Sequence, residues 1–82
     1  MHSREVVSQK CVEIFRTVFF DLNLFVSNDT SPSDIENWDS LAQISLVLVL
    51  QQVFEIEFSI DEVESMKNFG EIVDSVFEKI HA

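Results

Sequence analysis

Between Leu41 and Phe54 ten of fourteen positions are apolar, the exceptions being Gln43, Ser45, Gln51 and Gln52. A helix that is apolar nearly all round is buried over most of its surface, so the rest of the chain has to pack around this one. A lipid environment is not the alternative. The longest unbroken apolar run, Leu46 to Leu50, is far too short for a bilayer span. A chain of 82 residues builds one core, and a single domain over residues 1–82 is expected.

The flanking segments supply the cover. Ser3 stands where a helix cap belongs, and after it Val7, Cys11, Ile14, Val18 and Leu22 recur at three- and four-residue steps, with Phe15 widening the stripe. This spacing predicts a first helix over about residues 3–20. The periodicity stops over 21–39, where Ser27-Asn28-Asp29-Thr30-Ser31-Pro32-Ser33-Asp34 is dense in turn formers. Loops this long are usually functional or disordered. Leu24, Phe25, Ile35 and Trp38 are enough to pin this one across the core, and Ser31-Pro32 with Asp34 is fit to seed one helical turn. The second helix is expected over 40–54, with the Ser40 side chain as its cap and Gln43 completing an S-x-x-Q box.

Glu55-Ile56-Glu57-Phe58 alternates like a strand but has no second strand to pair with. It reads as an extended link with Ile56 and Phe58 inward. Ser59 with Glu62 starts a short helix over about 60–65, and Asn68 with Glu71 opens a last one carrying Phe69, Ile72, Val73, Val76, Phe77 and Ile80 at helical spacing. The fold class is therefore all-α: a small four-helix bundle, three longer helices plus one short, with a long loop between helices 1 and 2 and a phenylalanine-rich core.

Charge and side-chain chemistry exclude several functions. Fifteen acidic against five basic side chains give a net charge of -10, which repels nucleic acid and favours basic protein surfaces. The lone Cys11 permits no internal disulfide, falls on the inward face of helix 1, and suits a reducing, cytoplasmic setting. No secretory or transit-type leader is visible at the polar start of the chain. His2 and His81 sit at the two ends, read as solvated, and form no zinc spacing. Asp29, Asp34 and Glu36 lack the calcium-loop pattern and read as solvated loop charge. A nucleophilic serine needs a base within hydrogen-bond reach, and with both histidines terminal no catalysis is expected. On helix 2, part of the set Leu46, Val47, Val49, Leu50 and Val53 is either left open as a docking face or wholly core. Trp38 reads as a lid over the start of that helix, or as a contact for cargo or partner.

Asp39-Ser40-Leu41 at the head of an apolar helix, then Val53-Phe54-Glu55-Ile56, then Asn68-Phe69-Gly70-Glu71-Ile72, together make the chain similar to the acyl carrier protein family over nearly its whole length. The resemblance implies a non-catalytic carrier of acyl thioesters. Ser40 would be the hydroxyl to which 4'-phosphopantetheine is attached from coenzyme A by a phosphopantetheinyl transferase, with Asp39 and Leu41 as acidic and apolar contacts beside it. Partner docking is assigned to Trp38, Gln43, Leu46, Val47 and Leu50. The implied partners are that transferase and the acyl-loading, acyl-transfer or synthase enzymes, acting on a monomeric carrier. Leu41, Ile44, Leu48, Phe54, Ile56 and Ile72 would line a path for the acyl chain, with ordinary core as the alternative. Family members in fatty-acid synthesis carry several acids along helix 2, whereas this one has none before Glu55, which points to a specialised pathway. The alternatives are an aminoacyl or peptidyl carrier and an unmodified helical adaptor.

Overall fold

A computed structural model describes residues 3–81, so His2 lies outside the described residues. Four helices run in the order α1 (Arg4–Val18), α2 (Ser40–Phe54), α3 (Ile60–Ser65) and α4 (Phe69–Ile80), and a single 3-10 turn (Pro32–Asp34) interrupts the long loop. The all-α bundle is the one its periodicity predicts. Helix α1 packs against both α2 and α4, and α2 also touches α4. The buried apolar residues of all three except Val47, with Val26, Ile35 and Trp38 from the loop and Met66 beyond α3, form one cluster.

At its centre lies Phe15, whose ring meets Trp38 and Phe69 edge-on, both at 5.1 Å between centroids. Edge-to-face pairs of this kind add about 0.5–1.5 kcal/mol beyond area burial. They also join the C-terminal half of α1 to the starts of α2 and α4.

Helix α1 ends at Val18, two residues short of the expected boundary. Phe20 takes a left-handed conformation with φ 54°, its N–H donates to the Thr17 carbonyl at 3.3 Å, and the Asp21 N–H donates to the Arg16 carbonyl at 3.0 Å. These two bonds form a Schellman stop, at a position glycine usually fills. Leu22 therefore leaves the helical stripe and is 81% exposed, and Phe25 at 82% exposed yields its inward place to the buried Val26. Both were expected inside; reversal of the chain after Phe19 turns them out.

The middle of the loop is tied to α4. The Thr30 and Asn28 carbonyls accept from the Phe69 N–H at 2.8 Å and the Gly70 N–H at 2.9 Å, satisfying donors that a helix start leaves without intrahelical partners. Arg4 adds a bond to Asp74 at 2.7 Å and one to Asn28 Oδ1 at 3.2 Å. Only glycine fits here, because a Cβ on Gly70 would stand 2.8 Å from the Asn28 carbonyl oxygen.

The remaining caps follow the sequence. Ser3 accepts from the Val6 N–H, and Ser59 with Glu62 forms a reciprocal box. Asn68 accepts from the Glu71 N–H at 2.8 Å, while Glu71 reaches the Lys67 N–H rather than that of Asn68, so this box is displaced by one residue. The link after α2 is extended as expected, with Ile56 and Phe58 half-buried and the Phe58 N–H donating to Gln51 Oε1 at 2.9 Å. His81, read as solvated, is exposed but its ring meets that of Phe77 at a tilt, with centroids 4.3 Å apart.

Candidate functional site

At the head of α2 the cap is Asp39, not Ser40. Asp39 has extended backbone, φ -107° and ψ -171°, and its Oδ1 accepts from the Ala42 N–H at 2.9 Å. Ser40 is the first residue with helical backbone. This corrects the S-x-x-Q expectation, and the reason lies in Gln43: its Oε1 accepts the Trp38 indole N–H at 2.8 Å. A buried indole donor needs a partner, and Gln43 is the residue one helical turn into α2 that reaches it.

The consequence falls on Ser40. Its side chain is exposed, and its hydroxyl has no hydrogen-bond partner among the described residues. It stands on the first turn of a 15-residue helix, where free N–H groups and the helix dipole favour negative charge. Leu41 beside it is 73% exposed.

From Asp39 and Ser40 a groove of about 710 Å³ runs between α2 and α3, walled by Ile44, Val47 and Leu48 on one side and by Phe58, Ile60, Val63 and Met66 on the other. The α3 wall is held by few bonds. Lys79 pairs with Glu62 at 2.8 Å and sits 5.5 Å from the Phe58 ring centroid. The hydrogen bonds from Lys79 and from the Ser59 backbone hold the Glu62 carboxyl below its ordinary range. Gln43 Nε2 reaches the Val63 carbonyl only at 3.5 Å.

Most of the expected docking residues are withdrawn from solvent. Leu46 and Leu50 are fully buried, Trp38 and Val47 nearly so, and Gln43 is half-buried against the indole. The cause is geometric: α1 and α4 cover the Leu46–Leu50 side of α2. Leu41, Ile44, Leu48 and Val53 are the exposed apolar residues of this helix instead. Of the expected cargo path, Ile44 and Leu48 line the groove, whereas Ile72 is core and Leu41, Phe54 and Ile56 lie outside it. The α3 wall went unanticipated in the sequence. The three-residue step from Ile60 to Val63 was its one signal.

Two further candidates resolve as structural. Cys11 is fully buried, and burial pushes its thiol up to about 12, against a smaller opposing pull from Arg4. Asp34 uses its carboxylate on the Ser31 N–H at 3.0 Å, within the 3-10 turn.

No family model matches the chain. The solution NMR structure of a holo acyl carrier protein from Geobacter metallireducens superposes with a TM-score of 0.86 at 33% sequence identity, over 92% of this chain and 86% of that one. The chain belongs to the acyl carrier protein family. By family it is an acyl carrier. An acyl carrier protein of this shape presents one unengaged hydroxyl at a helix start with an apolar groove opening beside it. Among the described residues no helix is long and apolar enough to cross a membrane.

Proposed function

We propose that Ser40 is the attachment point of 4'-phosphopantetheine, transferred from coenzyme A by a phosphopantetheinyl transferase, and that the chain, a cytoplasmic monomer, carries acyl intermediates for a specialised biosynthetic pathway. The observation that carries this reading is the exposed, unbonded Ser40 hydroxyl on the first turn of α2, left free because Asp39 performs the capping. The residues present suit the group. A phosphodiester beside the α2 start is stabilised by the free N–H groups and the dipole, and the bound arm supplies the thiol on which acyl groups ride as thioesters. Asp39, exposed as well as capping, offers an acidic contact to a basic transferase, and Leu41 an apolar one. Ile44 and Leu48 stand ready for an apolar cargo at the groove.

Support for a specialised pathway comes from the surface of α2. No charged side chain occurs from Ser40 to Phe54, and the exposed Leu41, Ile44 and Leu48 make its contacts apolar. A carrier that docks on basic enzyme patches through α2 needs acids there, and this helix has none. Co-expression with a broad-specificity transferase followed by intact-mass measurement tests the attachment: wild type gains one arm and Ser40→Ala gains none. An addition that survives in Ser40→Ala, or a wild type left bare by every competent transferase, refutes the site. Loaded protein that sustains ordinary fatty-acid elongation as well as a general carrier does refutes the pathway assignment.

A further inference from the structure

The charge of this chain is divided unevenly along it. Residues 17–66 contain ten acidic and no basic side chains, while the segments on either side hold the five basic residues and the other five acids and so cancel. The whole net charge of -10 therefore belongs to the long loop, α2, the following link and α3.

Within that segment three large apolar side chains point away from the core: Phe20 at 95% exposed, Leu22 at 81% and Phe25 at 82%. They are held there by structure. The Schellman stop fixes Phe20, the Asn23 N–H donates to Asp21 Oδ1 at 3.0 Å, the Leu24 N–H to the Asp21 carbonyl at 3.1 Å, and Arg16 Nε to the Leu24 carbonyl at 2.9 Å. Phe19 before them and Leu24 among them pack inward, and Val26 anchors the exit. The Phe19 ring lies 6.3 Å from that of Trp38, two residues before Ser40, so the trio emerges at the end of the bundle where α2 begins.

We propose that Phe20, Leu22 and Phe25 form a docking surface, separate from α2 and the groove, for a partner protein that offers an apolar cleft edged by lysine or arginine. Charge selects the occupant. A second copy would set Asp21 against Asp21, its own Arg16 being already bonded to the Leu24 carbonyl at 2.9 Å, and an anionic membrane would meet the same acidic segment. Area agrees: the three side chains expose roughly 400–500 Å², about half of what one side of a stable dimer buries. This is too little to hold two copies together but enough for the anchor of a larger interface. The proposal rests on the carrier reading in one respect, that partners approach the end bearing Ser40.

The test uses unmodified, 15N-labelled protein, so it does not depend on whether Ser40 takes the arm. Its probe is a synthetic amphipathic helical peptide with leucines on one face and lysines flanking them, beside a control in which glutamates replace the lysines. The lysine peptide is expected to shift amides over residues 19–26, and Phe20→Asn/Leu22→Ser/Phe25→Ser to weaken binding at least tenfold; the glutamate peptide should not bind. Asparagine tolerates the left-handed backbone at position 20, and circular dichroism confirms that the variant is folded. Equal binding by the variant, shifts confined to α2 and α3, or equal binding of the glutamate peptide would overturn the proposal. So would a dimer in sedimentation, or association with zwitterionic phosphatidylcholine vesicles, that the triple variant abolishes.

Discussion

Replacing Gly70 with alanine sets two opposing effects against each other at one atom. Alanine is the better helix former by about 0.8–1.0 kcal/mol in a helix interior, and less than that gain is available at the second position of α4. Against it stands a Cβ 2.8 Å from the Asn28 carbonyl oxygen, 3.0 Å from Asn28 Cβ and 3.2 Å from Asn28 Cα, where ordinary contact begins at 3.4 Å. The nearest atom is backbone, so the loop has to retreat by about 0.6 Å, the difference between 3.4 and 2.8 Å. That movement stretches the bond from Gly70 N to Asn28 O, now 2.9 Å, and its neighbour from Phe69 N to Thr30 O, now 2.8 Å. Overpacking of this kind costs about 1–3 kcal/mol, and a weakened backbone bond adds up to about 1 kcal/mol. The clash wins, and Gly70→Ala should lose about 1–2 kcal/mol, lowering Tm by roughly 5–10 °C for a domain of this size. Urea and thermal unfolding followed by far-ultraviolet circular dichroism measure it. A variant as stable as wild type, or more so, would show that the loop is not clamped against α4 as described.

Other substitutions probe the site and the core. Asp39→Ala should cost about 0.5–2 kcal/mol in urea unfolding through loss of the α2 cap, whereas Ser40→Ala, which removes no hydrogen bond, should stay within about 0.5 kcal/mol of wild type; the reverse order would contradict the cap assignment. Glu62 has its folded pKa lowered below the ordinary 4.5 by Lys79 and the Ser59 backbone, so its contribution is present above 4.5 and lost as pH falls through the folded value. The stability advantage of wild type over Glu62→Gln should therefore shrink on acidification below 4.5, and an advantage constant with pH would rule the pairing out. With its thiol raised from 9.0 to about 12, Cys11 should hold about a thousandfold less thiolate than a free cysteine. It should resist a thiol reagent at mildly alkaline pH until denaturant is added; rapid reaction of the native protein would disprove its burial.

Local chemistry carried most of this fold in the sequence. The apolar spacing of α1 and α4, the capping residues Ser3, Ser59 and Asn68, the Pro32 turn and the limits of α2 and α3 all depend on neighbours within one helical turn, so reading along the chain suffices for them. So does the place of Ser40 at the head of an apolar helix. What failed depends on groups far apart. Which of two adjacent side chains caps α2 was decided by the buried indole of Trp38 taking Gln43, and Trp38 is buried because Phe15 of α1 and Phe19 just after it pack on it. The expected docking residues Leu46 and Leu50 are core because α1 and α4 close over that side, leaving Leu41, Ile44 and Leu48 outside. Leu22 and Phe25 kept their apolar character but lost their place to a left-handed Phe20. Periodicity says how much of a helix is apolar; which face the other helices cover is set by how they pack, and here that packing left the Ser40 hydroxyl unbonded and open to solvent.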